Sequence, residues 1–343
     1  MPSGQGHNAG TFSILPEESR EQFRLLELPP DLLAILTSSE PQPLIFKSPE
    51  NVLGSLSEAE AVICTTNTTY SIRQVNTSNS LYICQPTKAD VEGDNDDRAV
   101  LGLQAIAQND FTLQPNQVKA TSAAPYIKAV LPTYSSTGSY QSKDLLSRQQ
   151  VFDSIPLSQA ECEVSWRDLA CFVTQGPSGC FLPSSTAKAI AWKSVIGQAA
   201  VSGVDLMAPL SPDQISILVD PNDEWPPELT RALLTSISTI EGDSLVIDAE
   251  RCVISTGLDL LAAAQQSRRT LRKAEFLAKW KDLLPEKWRG LAELAKLPRD
   301  QYSIGDGDHV LLVGALTADG PVAAAETKKR KWHDKFRASK KAS

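Results

Sequence analysis

Two clusters of basic side chains are the candidate phosphate-binding residues of this chain. The first holds two basic pairs with two residues between them: Arg268, Arg269, Arg272 and Lys273. The second lies near the carboxyl end, where cations alternate with the rings of Trp332 and Phe336; its basic residues are Lys328, Lys329, Arg330, Lys331, Lys335 and Arg337. Cations bind phosphates and aromatic rings stack on bases, so both clusters are predicted to bind DNA.

Each cluster also has an alternative interpretation. The first is equally typical of a solvated helix face. The second has the pattern of a nuclear localisation signal, which is the favoured interpretation, with DNA contact second and a disordered solubilising tail third. Neither cluster carries a recognisable pattern for reading bases, so any binding to single- or double-stranded DNA is expected to be non-specific. The sequence therefore predicts a nuclear protein.

The distribution of charge supports this placement of a nucleic-acid surface. The net charge is −8, yet the segment from Leu260 to the end has 18 basic and 10 acidic side chains. Of the totals of 33 and 41, this leaves 15 basic and 31 acidic side chains in the first 259 residues. An acidic body with a basic end is typical of a protein that meets nucleic acid at one end only.

The chain lacks the residue patterns of common catalytic sites. It has three histidines, two of them near the termini, and neither a phosphate-binding loop nor a nucleophile elbow. Residues 305–308 read Gly-Asp-Gly-Asp between apolar runs, which predicts a turn in preference to a metal cluster. Residues 94–97 lack the glycine and closing glutamate of a calcium loop. We expect no active site, no cofactor and no metal.

Length and cysteine spacing favour an intracellular protein of a few domains. The chain has 343 residues and no apolar run near the roughly 18 residues of a membrane span. Its Gly/Ser-rich start lacks the features of a signal peptide, so residues 1–19 are predicted to be a disordered tail. The six cysteines are scattered without a C-x-x-C pair, which favours reduced, mostly buried thiols.

Residues 20–135 are predicted to form a β domain. Short apolar runs, several of them β-branched, alternate with Asn/Ser/Thr-rich turns, including one at residues 77–79. Such close spacing of short strands is typical of a small barrel or sandwich.

From residue 140 the pattern becomes helical and recurs. Ser158 and Glu161 form a capping box, and Pro226-Pro227 begins another helix. Gly179, Gly242 and Gly305 lie in predicted hairpins, 63 residues apart each time. About 60 residues of helices and a hairpin is the size of a winged helix, so we predict winged helices at 140–207, 208–264 and 265–320, then a basic tail at 321–343. The alternative is ordinary α/β packing in which the regular spacing of the glycines is a coincidence.

Several strings of the β domain resemble one known family. They are FRLLEL (23–28), LIFK (44–47), EAVICT (60–65), TYSIR (69–73) and TSNSL (77–81). The segment resembles the amino-terminal signature of the "defective in sister chromatid cohesion" family, subunits of an alternative, chromosome-transmission-fidelity clamp loader. The likeness is weaker between Lys143 and Leu261, and beyond that only size and order agree. Some relatives carry a basic run just after the β domain, where this chain has only Lys119 and Lys128.

The resemblance implies both a fold and partners. It implies an α+β protein, with an N-terminal β-barrel-like domain followed by tandem winged-helix domains. The β domain would join the small loader subunit and the carboxyl end of the large subunit in a shared barrel, and the residues expected to bind them are Val62, Tyr70, Ile72, Leu81 and Ile83. The winged helices would reach DNA and polymerase epsilon, with the sliding clamp an indirect partner.

The expected function is that of a non-catalytic adaptor in replication and cohesion establishment, but two alternatives stay open. One is a winged-helix transcription regulator, which should carry a basic recognition helix. The helix predicted from Ser158 to Val173 has only Arg167 against three acidic residues, Glu161, Glu163 and Asp168. The other is a scaffold subunit of a different large nuclear complex.

Overall fold

The computed structural model describes residues 14–16, 23–48, 61–89, 100–119, 122–135, 145–175, 178–219 and 223–313. Its helices and sheets confirm the predicted mixed α+β class. The chain divides into two compact units, residues 1–183 and 184–343. The division falls inside the segment 140–207, which the sequence predicts as one domain.

One curled sheet of half-barrel form organises the amino-terminal part of the first unit. Its strand order is β1-β6-β5-β4-β3, and β2 also pairs with β6. The strands are β1 (Ile14–Pro16), β2 (Leu25–Leu26), β3 (Ile45–Lys47), β4 (Val62–Cys64), β5 (Thr69–Ala89) and β6 (Val100–Gln117). Strand β1 lies within the predicted amino-terminal tail and pairs in parallel with β6. Leu32, Ile63 and Tyr70 form the core beneath this sheet.

Two short helices occur where the sequence predicts only β structure, so that prediction was wrong for these residues. Helix α1 (Pro30–Leu36) has proline and Asp31 in its first turn. The proline ring presets the backbone φ for a helix, and the Asp31 carboxylate interacts favourably with the positive end of the helix dipole. Helix α2 (Ala124–Val130) also has proline in its first turn, and Lys128 in its last. Short apolar runs do not separate a strand from a two-turn helix by periodicity alone.

Three successive modules share one order of elements: a helix, a strand, two helical segments and a hairpin. The first module contains α2, β7 (Thr133–Tyr134), α3 (Arg148–Ser154), α4 (Gln159–Asp168), β8 (Phe172–Gln175) and β9 (Ser178–Pro183). The second contains α5 (Ser185–Ser202), the single bridging residue Leu210, α6 (Pro212–Leu218), α7 (Pro227–Ser236), β10 (Ser238–Glu241) and β11 (Ser244–Ile247). The third contains α8 (Ala249–Gln266), β12 (Leu271–Arg272), α9 (Lys273–Asp282), a 3₁₀ segment (Glu286–Leu291), β13 (Tyr302–Gly305) and β14 (His309–Leu312).

In each module the first strand pairs with the last strand of the hairpin. The orders are β7-β9-β8 and β12-β14-β13, and Leu210 bridges to Leu245 of β11. The pairing is parallel in the first module and antiparallel in the other two. The modules therefore share the order of strands but not every detail of pairing.

Several local predictions are confirmed. The hairpins around Gly179, Gly242 and Gly305 are present, and Gly242 occupies its turn with a φ of 59° that glycine adopts without a steric penalty. The capping box at Ser158 and Glu161 is also present. The segment after Pro285 forms 3₁₀ turns at Glu286–Leu291 and Leu294–Lys296.

Specific contacts hold the second and third modules together within the second unit. Lys188 of α5 forms a mostly buried ion pair with Asp259 of α8, with Nζ and Oδ1 2.5 Å apart. The indole of Trp192 donates at 2.7 Å to the carbonyl of Leu283, the residue that caps α9. These bonds link α5 of the second module to α8 and α9 of the third, so the two modules form one body.

A glycine in α8 lets a tryptophan approach the helix closely. Trp280 is fully buried and its Nε1 donates at 2.9 Å to the carbonyl of Val253. A Cβ on Gly257 would lie 2.7 Å from two atoms of the Trp280 ring. No larger residue fits at this position unless the indole moves.

Substitution Gly257→Ala is expected to destabilise the protein by about 1–3 kcal/mol, because it overpacks this contact. The matched control is Gly197→Ala in α5, where an added Cβ meets nothing within 4 Å. The control should gain roughly 0.5–1 kcal/mol from better helix propensity. Urea unfolding of the two variants measures the difference, and equal shifts would contradict the packing described for Trp280.

Candidate subunit and nucleic-acid interfaces

The longest strands of the sheet, β5 and β6, form an arm that carries β1 and β2 on its β6 side and has an open edge on its β5 side. Strand β4 pairs with β5 only at Thr69, Tyr70 and Ser71, whereas β6 follows β5 as far as Ala89. Among the described residues, the part of β5 beyond Ile72 therefore has a neighbouring strand on one side only. An unpaired edge of this length offers a row of backbone donors and acceptors to another chain.

The predicted turn at residues 77–79 is a bulge in a continuous strand. From Asn76 to Leu81 strand β5 advances five residues, while β6 advances two, from Phe111 to Asn109. Thr77 stabilises the bulge, because its hydroxyl donates at 2.8 Å to the carbonyl of Asn79 and accepts from that residue's N–H at 2.9 Å. Polar residues that bond to their own backbone are typical of turns and bulges alike. The sequence therefore located the irregularity but not its form.

The five predicted partner-binding residues do not share one surface. Tyr70 is only 4% exposed and belongs to the core of this chain, where its hydroxyl donates to Asp31. Ile72 packs against the same core. Val62 and Ile83 are half-buried, and Leu81 is 40% exposed on the arm.

Sequence reasoning missed the most exposed apolar residues of the sheet. Tyr82 on the arm is 57% exposed, and Phe46 on β3 is 61% exposed beside Ile45. Strand β3 ends the sheet, so it presents a second open edge among the described residues. The LIFK run (44–47) could have indicated this exposed apolar surface, because a short apolar strand at the end of a sheet cannot bury both of its faces.

A partly buried polar joint connects the sheet to the first module. We define this joint as Lys47, Thr69, Ser158 and Glu161. One carboxylate oxygen of Glu161 accepts from the hydroxyls of Thr69 and Ser158, each at 2.6 Å. The Thr69 hydroxyl in turn accepts from the Ser158 backbone N–H at 2.8 Å.

Lys47 forms the second half of the joint. Its ammonium donates to the backbone carbonyls of Phe152 and Leu157 at 2.9 and 2.8 Å. Buried thiols lie beside it at Cys64 and Cys162, and burial raises the pKa of Cys162 to about 11, so this thiol stays neutral. The sheet and the corner between α3 and α4 are therefore bonded to each other within the first unit.

Helix α4 does not present a basic face. Arg167 lies next to Asp168, and Glu163 pairs with Arg148, whose guanidinium also lies over the rings of Phe152 and Trp166. The first turn of α4 meets the sheet, where the N–H of Ala160 donates at 3.0 Å to the carbonyl of Thr66. This end of α4 is consequently unavailable to enter a DNA groove.

The first basic cluster is brought together at the surface of the third module. Arg268 and Arg269 follow α8, Arg272 caps α9, and Lys273 is the first residue of α9. All four side chains are exposed. In the part of the chain that the structure describes, none of them forms an ion pair within 4.0 Å. Arg269 does lie near Glu275, whose pKa is lowered mainly by its bond to Lys279 and to a lesser extent by Arg269.

The remaining predicted features divide between described and undescribed residues. The second basic cluster, Lys328 to Arg337, lies outside the described residues. Residues 306–308 form the predicted turn between β13 and β14. The described residues contain no group of three or more His, Cys, Asp or Glu side chains that could hold a metal ion. None of their helices has both the length and the apolar character to cross a membrane.

Comparison with known families identifies the chain. The sequence model of the family described as sister chromatid cohesion protein Dcc1 matches residues 23–308, which covers most of both compact units. The chain belongs to the Dcc1 family. Membership in the Dcc1 family implies a role in sister chromatid cohesion, in the nucleus, as a generally non-catalytic adaptor in a cohesion-related complex. It confirms the resemblance seen in the β-domain strings. No curated protein matches the chain.

Tyr70 is expected to ionise last among the tyrosines. Burial, and then the bond to Asp31, raises its pKa to about 12. Because the folded pKa exceeds the unfolded value near 10, the stability that Tyr70 contributes is present below about pH 10 and is lost as pH rises toward 12. Absorbance at 295 nm should show one late-ionising tyrosine that is missing in Tyr70→Phe. A Tyr70→Phe titration identical in shape to the native one, merely smaller, would contradict its burial.

Proposed function

We propose that the chain is a non-catalytic adaptor subunit of an alternative clamp-loader complex. In this proposal it acts in DNA replication and in the establishment of sister chromatid cohesion, and links the loader to DNA and to polymerase epsilon. The observation that carries the proposal is the open edge of β5, in a chain of a family whose role is cohesion. Among the described residues, this strand of 21 residues is paired on one side only for most of its length, which leaves an edge suited to a second chain.

The proposed partners for this edge are the small subunit and the carboxyl end of the large subunit of the loader. Added strands would complete the half-barrel, because main-chain hydrogen bonds along the edge supply affinity and alternate side chains supply specificity. Leu81 and Tyr82 supply exposed apolar area on the arm, and Ile45 and Phe46 supply it on β3. Both open edges would be covered in a closed barrel.

Charged substitutions on the arm test this assembly. The variant Leu81→Asp with Tyr82→Asp is expected to lower co-purification with co-expressed loader subunits at least tenfold, because two charges would be buried in an apolar interface. The control is Ile240→Asp, which changes a residue 63% exposed in the second unit. The control should co-purify normally. Normal recovery of the arm variant would remove this edge from the proposed interface.

We also propose that the three modules are winged helices. Supporting this are the shared order of helix, strand, two helical segments and hairpin, and the first-third-second order of strands. Under this proposal their boundaries become 124–183, 185–247 and 249–312, in place of 140–207, 208–264 and 265–320. The earlier starts follow from assigning α2, α5 and α8 as the first helix of each module.

The order of elements disfavours a sequence-specific transcription regulator. In a winged helix the second of the two central helices enters the major groove. In the three modules this element is α4, α7 and the 3₁₀ turn Glu286–Leu291. Helix α4 is acidic at its surface, α7 has Glu228 and Arg231 as its charged residues, and a 3₁₀ turn is too short to span a groove. An adaptor or scaffold requires none of these helices to read bases.

DNA contact is assigned to the basic end of the chain. The four cations of the first cluster lie on the third module, and the second cluster follows in sequence. We propose that both bind phosphates without reading bases, and that the run Lys328–Lys331 also directs nuclear import. We propose that the second unit contacts the polymerase, without assigning the contact to one surface of its described residues.

DNA binding should depend steeply on salt and on these two clusters. Each phosphate contact contributes about 0.9 to the slope of log K against log salt concentration. Deleting the residues after Glu326 should flatten the slope by roughly two to three units, and replacing Arg268, Arg269, Arg272 and Lys273 by alanine as well should leave little binding. Fluorescence anisotropy on single- and double-stranded oligonucleotides measures this slope.

The control keeps the tail and removes four other exposed cations of the second unit: Lys193, Arg231, Lys287 and Arg299. It is compared with a variant that keeps the tail and carries only the four substitutions in the first cluster, so that both lose four positive charges. A smaller loss of binding in the control would show that position matters beyond total charge. An unchanged slope in the variant lacking both clusters would place the DNA surface elsewhere.

A further inference from the structure

The joint connects the proposed assembly strand directly to a helix of the first module. Thr69 is the first residue of β5, and its hydroxyl bonds to both Ser158 and Glu161. Ser158 is the residue that caps α4, and Glu161 completes the capping box. The same carboxylate therefore caps α4 and holds the start of β5.

The two hydroxyls of this junction are shielded from water, whereas the carboxylate of Glu161 is half-buried. Ser158 is fully buried and Thr69 is 1% exposed. A buried hydroxyl or N–H without a hydrogen-bond partner carries the full free-energy penalty of its lost hydration. Hydrogen bonds to a charged group are stronger than those between neutral groups, so breaking them costs more free energy. Separation of α4 from β5 thus requires both elements to open.

Thr69 is also held on its other side by β6. The N–H of Val118 donates at 3.0 Å to the carbonyl of Thr69, and pairing with β6 starts at the next residue, Tyr70. A shift at Thr69 would move the register of the whole arm, since each residue of β5 has a fixed partner on β6 until the bulge. Movement at α4 is consequently transmitted to the strand that bears the open edge.

Lys47 adds an independent connection from the other open edge. It belongs to β3, and its two bonds reach carbonyls at the end of α3 and before α4. Both strands with open edges are therefore tied to one corner of the first module, the segment between α3 and α4.

We propose that the joint makes the arm and α4 a single cooperative element, so that a chain pairing with β5 also fixes the first module in position. Residues Thr69 and Glu161 are then positioning residues and not part of the binding surface. The identity of the pairing chain rests on the proposed function, but the coupling inside this chain does not. One consequence is that a fragment ending at residue 135 lacks Ser158 and Glu161 and leaves the partners of Thr69 and Lys47 missing, whereas a fragment of residues 1–183 retains them.

Hydrogen exchange on the full-length chain tests the coupling without any partner. Substitution Thr69→Val removes the hydroxyl and keeps the β-branched shape. We expect exchange to become about tenfold faster both in the first turn of α4 and in arm peptides covering residues 72–84. Thr68→Val is the matched control, because the Thr68 hydroxyl makes no hydrogen bond among the described residues, and it should leave both regions unchanged. A change confined to α4 would overturn the proposal, since a purely local cap would produce it.

A second variant keeps the test decisive if Thr69→Val folds poorly. Glu161→Gln retains an oxygen acceptor and removes the charge, so it should loosen both regions by a smaller factor. Loosening of α4 alone, or of the arm alone, would again contradict the joint.

Adding the small loader subunit separates this inference from the proposed function. In the native chain the subunit should slow exchange in the arm and in α4, and in Thr69→Val it should slow the arm alone. Slowing of the arm but not of α4 in the native chain would overturn the coupling. No slowing in either region would contradict the proposed assembly surface, while the paired loosening in the free chain would still support the joint.

Discussion

The half-buried carboxylate of Glu161 forms the hydrogen bonds on which the arrangement of the first unit depends. It accepts two hydroxyl hydrogen bonds, one from the helix it caps and one from the strand that begins the long arm. Thr69 and Ser158 are buried, so their hydroxyls would be left without an acceptor if the sheet and α4 separated. The β domain and the first module are for this reason a single body, and the division of the chain falls after them, between residues 183 and 184.

In the proposed function, this arrangement separates two tasks along the chain, and the open edges are those of the described residues. The first unit combines an acidic sequence with two open strand edges and exposed apolar residues, features suited to binding other proteins. The second unit joins two modules through Lys188, Asp259 and Trp192, and carries the exposed basic cluster beside α9. An adaptor needs such a division, because one end must assemble with partners while the other meets phosphates that an acidic surface would repel.

Local features of this fold were predictable from sequence, and features that join distant residues were not. The capping box at Ser158 depends on residues three positions apart, and the hairpin at Gly242 depends on one turn, so both were visible. Thr69 bonds to a residue 92 positions away and Lys47 reaches one 105 positions away, and no periodicity records such contacts. Tyr70 shows the same limit, since alternation placed it on a strand but could not tell whether its face met a partner or this chain's own α1. The regular spacing of the glycines predicted the hairpins, but it does not indicate the helix with which each module begins.

A cryo-electron microscopy structure of the full chain with the small and large loader subunits would show whether another chain completes the sheet along β5, as we propose. We expect a partner strand hydrogen-bonded alongside β5 beyond Ile72, with Leu81 and Tyr82 covered and α4 still bonded to Thr69 through Glu161. A complex in which that edge of β5 stays open to solvent, and the partners bind elsewhere, would contradict it.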